Sequence, residues 1–433
     1  MAFDIIIGRN VEENKLFGSK ALAFLGKTYV RMGNYISLSN KIYLDISRSH
    51  VILVAGKRGS GKSYTLGAIA ESIGEKEKED ELNISSIIFD TMGIFWTMKF
   101  KNYKDKDLLS KWGLEPKNIP VEVFSPAGFF SSLVEKGIPV DSEFKIKISE
   151  MEYEDWLTLF NLDYTSSEAA LLIETLKKIK ETKENFNFED IEKEIKKNEK
   201  YDKKSKNSIE SLFEIAKSWG IFSEEEGIKV SELIKKGQTS VLDLSMYPST
   251  LRFNIRALII GIVCRKIFNE RMQARKEEEI NSIKRGIAES YSFSFAKNLP
   301  LVWVFIDEAH EFLPKDEKTP ATESLIQLLR EGRQPGISLV LATQQPGKIH
   351  TDVMTQSDIV ISHRLTSEQD IKALNEMMQT YLYEGLKKKL NDLPKEKGAA
   401  ILLDDNSERI YPIRVRPRYT WHGGETPSSI IRI

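Results

Sequence analysis

Between Val51 and Gly67 the chain reads VILVAGKRGSGKSYTLG. A β-branched apolar run breaks into basic residues, closely spaced glycines and a Lys-Ser pair, and apolar residues then return at helical spacing. Gly56, Gly61, Lys62 and Ser63 match G-x-x-x-x-G-K-[ST], with Lys57, Arg58, Gly59 and Ser60 inside the loop and Tyr64 just after it. The glycines let backbone N–H groups turn inward toward phosphate oxygens, and the start of a helix adds the positive end of its dipole. The pattern predicts a strand over Val51–Ala55, a loop from Gly56 to Tyr64 that binds ATP, and a helix onward. Lys62 is placed to reach the β- and γ-phosphates, and Ser63 to ligate Mg2+.

The second signal is LVWVFIDEAHEFLP, Leu301 to Pro314. Six apolar residues predict a buried strand, and Asp307 and Glu308 stand at its end. Ligands of open α/β sheets collect at the carboxyl ends of strands. Asp307 is therefore the expected partner of Mg2+, with Ser63, and Glu308 the group that orients and polarises an attacking water. A mere nucleotide binder has no use for that second carboxylate. The letters Asp-Glu-Ala-His at 307–310 suggest a DEAH-box protein. Lys62 and Asp307 stand too far apart for that family's compact first domain, and His310 reads as a residue at a helix start.

The third signal is LLREGRQPGISLVLATQQPGKI, Leu328 to Ile349. A helix gives way to a strand over Ile337–Ala342, with Thr343, Gln344 and Gln345 at its end. Gln344 is the candidate sensor of the γ-phosphate. Arg330 and Arg333 lie before the strand. From there an arginine does not readily reach its own nucleotide but can reach that of a neighbour in a ring. The competing reading is an exposed helical arginine.

Bulk properties narrow the class. At 433 residues the chain is long for one simple domain. The net charge of −1 excludes a surface coated with positive potential, so nucleic acid would bind only at a local basic pore or groove. The single cysteine, Cys264, excludes an internal disulfide and suggests a reducing cytoplasm. The apolar run around it, ALIIGIVC, is far short of the ~20 residues that span a membrane. The opening MAFDIIIGRN lacks the charged and apolar regions of a secretion signal. The expectation is a cytoplasmic protein without a membrane partner.

Together these segments resemble the HerA/FtsK superfamily of ring ATPases, closer to the HerA branch. The resemblance runs from about Ile36 onward and includes DIVISHRLTSEQD and PIRVRPRYTWHGGE. It implies an α/β RecA-like P-loop core with a central, mostly parallel sheet, to which this chain's own residues add a helical insertion and a short N-terminal β segment. It implies a homohexamer acting on double-stranded DNA with a nuclease or defence effector as partner. Lys62, Ser63, Asp307, Glu308 and Gln344 take the roles given above. Arg333 falls where the family's trans-acting arginine lies, and Arg48 near another arginine that contacts nucleotide. Two departures stand out. The family's Asp-x-x-Gly-Glu motif has Asp90 and Gly93 here, but Ile94 replaces the glutamate. The residues before the P-loop suffice for a few strands, not a whole barrel.

The remaining sequence divides by character. Residues 1–47 read as a short β segment, 48–144 and 237–408 as two parts of the core, and 145–236 as a helical insertion, while for 409–433 the resemblance implies a brace across the neighbouring subunit. Val121–Phe124 and Gln238–Ser245 read as strands. The charged run Lys177–Lys206 reads as a solvated face or a mobile loop. Leu251–Glu279 reads as one helix, and Asn281–Asn298 as a loop. Arg252 and Arg256, four apart at that helix start, and Lys315 and Lys318 after the acidic motif are candidates for contact with DNA phosphates. The favoured expectation is an ATP-driven DNA translocase. The alternative is an ATP-gated hexameric scaffold that holds or switches an effector enzyme, distinguished by hydrolysis indifferent to DNA. A small-molecule phosphotransferase fits less well, given the paired carboxylates and the trans arginine.

Overall fold

The computed structural model describes residues 4–32, 35–248, 253–287, 299–377, 390, 392–394 and 396–424. Its strands are β1 (Ile5–Ile7), β2 (Leu22–Met32), β3 (Tyr35–Asp45), β4 (Val51–Ala55), β5 (Ile84–Asp90), β6 (Val121–Pro126), β7 (Ser142–Phe144), β8 (Ile146–Lys147), β9 (Phe222–Ser223), β10 (Thr239–Asp243), β11 (Leu301–Ile306), β12 (Ile337–Thr343), β13 (Ile359–His363), β14 (Ala399–Asp404) and β15 (Arg409–Val415). All but β8 and β9 form one 13-stranded sheet in the order β1-β3-β2-β15-β14-β13-β4-β12-β11-β5-β10-β6-β7. From β13 through β7 every neighbouring pair is parallel. From β13 back through β14, β15 and β2 to β3 the pairs are antiparallel.

The central strands read as unbroken apolar runs because both faces are covered. Alternate residues of β4 serve two cores. Val51, Leu53 and Ala55 face one, and Ile52 and Val54 face the other. The second core takes Leu66, Ala68, Ile69 and Ile73 from the helix Lys62–Asp80 that follows the loop. The first takes the helices of residues 153–217 and the apolar start of the helix Ile255–Ile287. That long helix continues beyond the Glu279 end expected from sequence, its run of Arg, Lys and Glu from Arg275 to Glu279 being made of good helix formers.

The charged run Lys177–Lys206 is not a loop for most of its length. It covers the end of the helix Ser167–Thr182, all of Phe188–Lys197 and the start of Lys203–Lys217. Ile179, Ile191 and Ile195 are buried and anchor these helices beneath the charges. A reciprocal cap between Asn187 and Asp190 starts the middle one. Trp156, fully buried, collects the rings of Phe160, Phe188, Phe213 and Phe222 around it.

The tail packs first on its own chain. Residues 409–415 are a strand of this chain's own sheet, and Arg416 and Arg418 are fully buried against its own helix Lys62–Asp80. Glu71 of that helix receives both guanidiniums, at 3.0 and 2.9 Å, and the backbone N–H groups of Tyr419 and Thr420. Burial opposes charge on Glu71, but Arg418 and Arg416 outweigh it and hold the carboxyl below its usual range. The described part of the tail is thus anchored on its own chain, with its arginines on this buried acid.

Candidate nucleotide site

The loop after β4 has the predicted shape. Gly59 and Gly61 take φ of 74° and 112°, the left-handed region that an L side chain resists. At Gly56 a side chain would meet Ser60 Oγ at 2.4 Å and His363 Cβ at 2.7 Å. The loop is fixed by Gly56 N–H donating to Thr343 O at 3.2 Å and Lys57 N–H to Arg364 O at 3.1 Å. Both strands that flank β4 thus hold its carboxyl end. Lys62 opens the helix and is buried. Ser60 Oγ is buried and has no hydrogen-bond partner among the described residues, as a phosphate cradle requires.

The acids arrive from β11. Asp307 is buried, accepts the Ser63 hydroxyl on Oδ2, and accepts the Glu308 N–H on Oδ1 at 2.9 Å. Ser63 and Asp307 are therefore together, as the donor set for Mg2+ demands: a hydroxyl and one carboxylate beside a phosphate loop. Glu308 adopts φ 51°, ψ 43°, a left-handed conformation that is costly for a glutamate and recurs where function fixes the backbone. Its Oε2 is buried without a partner among the described residues. Burial first and Asp307 second push its pKa up to about 7, against the pull of Lys62. The Gln344 backbone amide acts on the same carboxylate, so the candidate sensor is beside the candidate base.

Two histidines belong to this end of the sheet. His310, read from sequence as a helix-start residue, has Nδ1 3.2 Å from Thr343 Oγ1 and 3.6 Å from Glu308 Oε2. His363 lies behind the loop, with Nδ1 2.9 Å from Ala399 O and Nε2 2.9 Å from Thr65 Oγ1. The carbonyl requires a proton on Nδ1, so Nε2 accepts from Thr65. Burial and the nearby Lys62 charge push both rings down to about 4, and both are neutral. His363 was within reach of sequence reasoning. It follows the apolar run Ile359–Ser362, and a strand's carboxyl end beside the P-loop strand is where such residues collect.

Asp90, the retained first residue of the altered motif, is buried at the end of β5 beside Asp243 at the end of β10. It accepts the N–H groups of Phe95 and Met92 at 2.6 and 3.2 Å. Burial and then Asp243 push it up to about 7. Arg256 supplies the counter-charge. This corrects its candidacy for DNA: Arg256 is buried, donates to Leu244 O at 3.3 Å and faces Glu311 at 3.8 Å. An arginine held among acids beneath the sheet offers no open basic face. Arg252 lies outside the described residues. Lys315 and Lys318 are exposed on the loop after β11, where Lys318 pairs with Glu323 at 3.2 Å.

The remaining arginines are at the other end of the strands. Arg333 precedes β12 while Gln344 follows it, and seven extended residues separate them by roughly 20 Å. Arg333 is exposed and meets Asp358 at 3.3 Å. Arg48 precedes β4 and pairs with Glu13 at 2.6 Å. Both line a cleft of about 450 Å3 with His50, Arg271 and Arg275. Arg330 is exposed too, and bonds to Asp352 at 2.7 Å. None of these arginines joins the site of its own chain. Behind the cleft His50 is buried between Asp358, 2.7 Å from Nδ1, and Asp45, 3.6 Å from Nε2. Burial opposes its charge, but Asp358 and Asp45 prevail and hold it up at about 9.

The family described as "Helicase HerA, central domain" matches residues 30–267, and that described as "Zonular occludens toxin (Zot)" matches residues 270–379. The DNA double-strand break repair helicase HerA of Saccharolobus solfataricus is 25% identical over 86% of this chain and 66% of its own length. That of Pyrococcus furiosus is 30% identical over 32% of this chain and 26% of its own length. The chain spans less than two thirds of either relative. A probable helicase of Methanocaldococcus jannaschii is 25% identical over 95% of this chain and 73% of its own length. In fold, VirB4 of Thermoanaerobacter pseudethanolicus is similar, with a TM-score of 0.52 at 15% identity, covering 92% of this chain and 96% of that one. Among the described residues no helix is long and apolar enough to cross a membrane.

Proposed function

Because the chain belongs to the family of the HerA helicase central domain, a P-loop ATPase family with a RecA-like fold, we propose that it hydrolyses ATP between copies of itself and moves duplex DNA. The observation that carries this reading is the division of the site along β12. The acids and Gln344 cluster at the carboxyl end with the P-loop, and Arg333 and Arg48 stand free of them at the amino end. A ring of identical subunits, taken to be a hexamer, brings the two ends together.

Each residue then has a role. Backbone N–H groups of the loop and Lys62 neutralise the phosphates. Ser63 and Asp307 would hold Mg2+, which supplies charge neutralisation to the β- and γ-phosphate oxygens. Glu308 orients a water with its unpartnered Oε2 and takes its proton, and a pKa near neutrality suits a base working at physiological pH. Gln344 contacts the γ-phosphate or the water. Arg333 of the next subunit, with Arg48 beside it, stabilises the charge that develops on the transferred group. Lys315 and Lys318 lie on an exposed loop suited to phosphate contact. The HerA relatives are named for the repair of DNA double-strand breaks, which supports DNA as the substrate; a nuclease or defence effector as partner belongs to the proposal alone.

The test is ATP hydrolysis by the purified chain with and without long duplex DNA over a salt series. The expected result is stimulation by DNA that fades as salt rises, since phosphate contacts release counterions. Hydrolysis indifferent to DNA at every salt concentration would overturn the translocase and favour an ATP-gated scaffold for an effector enzyme.

A further inference from the structure

Arg271 is a fully buried cation that the chemistry above does not use. It stands on the helix Ile255–Ile287, and its guanidinium spans the amino ends of two neighbouring strands. Nε donates to Pro335 O at 2.8 Å, just before β12, and Nη1 donates to Leu299 O, just before β11. Glu278, 3.3 Å from Nη1, is its counter-charge, and Nη2 has no hydrogen-bond partner among the described residues. A buried charge held mainly by carbonyls is costly, and an apolar side chain of similar volume would fill the place at less cost. What the guanidinium supplies, and a methionine would not, is a planar fork that ties two loops to one helix.

One of those loops carries Arg333. Residues 332–336 join the helix Thr322–Glu331 to β12. Within the turn, Gly336 N–H donates to Arg333 O at 3.3 Å, and Ile337 N–H to Gly332 O at 2.8 Å. Gly336 has φ 83°, and a side chain there would meet Leu301 Cδ2 at 2.3 Å and Arg271 Nη2 at 3.4 Å. The glycine thus lets the turn press down on the buried fork. Above it the Arg333 side chain is 61% exposed and is steadied by Asp358, which also accepts the Val51 N–H at 2.8 Å. Without these holds, a long side chain on a surface turn loses its aim to its own rotamer and backbone freedom.

We propose that Arg271 is a positioning residue for Arg333: by gripping Pro335 O it fixes the turn from which Arg333 reaches the nucleotide of the next subunit. This rests on the trans reading above and adds the part that aims the arginine. Arg271 itself is buried and touches no substrate. A group that stabilises developing charge works only within a narrow range of positions, and a misplacement of about 1 Å can cost about a hundredfold in rate. The rival role belongs to the same guanidinium: through Leu299 O it would secure β11, and with it Asp307 and Glu308 of its own chain.

The experiment uses the full chain with Arg271→Met, which keeps the volume and removes the fork. The kcat of ATP hydrolysis should fall about ten- to a hundredfold while KM changes less than about twofold, because another subunit's P-loop holds the substrate. Thermal melting checks that the variant is folded. If it is not, Arg271→Lys, which keeps the charge but cannot span both carbonyls, goes through the same assays, with a smaller loss of kcat expected. Mixing then tells which end Arg271 serves. With Glu308→Gln, whose turn is intact, the variant should regain part of the rate. With Arg333→Ala it should not, since no interface then has a well-aimed arginine. The reverse pattern, recovery with Arg333→Ala alone, would overturn the proposal and assign Arg271 to its own acids. Recovery with neither partner, or an unchanged kcat, would overturn it as well. Arg333→Ala mixed with Glu308→Gln is the control: if that pair does not recover, the trans reading itself fails and the role of Arg271 falls with it.

Discussion

The two ends of the parallel strands treat charge in opposite ways. At the carboxyl ends, His310 and His363 are pushed down to about 4 and Glu308 up to about 7, so these groups are held near neutrality around one buried lysine. At the amino ends, His50 is held charged up to about 9 by Asp358 and Asp45, behind a cleft lined by arginines. Histidine is the same side chain in both places. Burial disfavours its charge at each, and the sign of the nearest fixed partner decides the outcome. One end is thus prepared to receive a polyanion with its own cation in place. The other presents cations with carboxylates behind them.

The most forceful way to break this comparison is to disable each end separately. Arg333→Ala should lower ATP hydrolysis by about a thousandfold or more, and Glu308→Gln by about a hundred- to a thousandfold, with ATP binding kept in the second. Mixing the two inactive proteins should restore part of the rate, because some interfaces then pair an intact acid with an intact arginine. A mixture as inactive as its parts would mean that the two ends do not meet.

A smaller effect sharpens the contrast in histidines. His50 is charged in the folded state over a range where the unfolded ring, near 6.5, is not. Its contribution to stability is therefore fully present below the unfolded value and is lost as pH rises through about 9, on the order of 3 kcal/mol in all. Urea denaturation of the parent and His50→Gln should differ clearly at pH 7 and converge by pH 10. A gap that stays constant with pH would mean that packing, and not the Asp45–His50–Asp358 charges, accounts for the loss.

Smallest of all is Arg330→Ala. Arg330 is exposed and its pairing with Asp352 is a surface ion pair worth about 0–1 kcal/mol. Hydrolysis should change less than about twofold. A loss as large as that of Arg333→Ala would transfer the trans role to Arg330.

The phosphate loop, Asp307, Glu308 and the strands bearing them were legible because each depends on contiguous residues: an apolar run followed by a fixed spacing of polar groups. What escaped depends on pairs far apart in sequence. Arg256 looked like half of an exposed basic face, since four-residue spacing says which residues align but not which face is buried. Its acids come from β5, β10 and the segment after β11. The brace role of the tail was implied by the resemblance alone, and RVRPRY, basic and broken, does not say that its arginines are buried in their own chain. Only the burial of Glu71, which stands mid-helix and resembles a solvated acid, shows where those arginines go. His310 was placed correctly in the chain but not in the chemistry, for its partner Thr343 belongs to another strand.

The position of β15 also bears on how the chain acquires its structure. The hairpin of β2 and β3 forms from residues near the start, yet it joins the main sheet through β15 alone, by the pairing of Gly26–Thr28 with Ile413–Val415. During synthesis that hairpin must wait, with one edge uncovered, until the chain has been extended from Asp45 to Val415. Closing so long a loop is slow, and it delays the docking of the tail arginines on Glu71 to the same late stage. The beginning of the chain is thus among the last parts to be secured, and the helix that carries the phosphate loop receives its buried counter-charges only when that closure is complete.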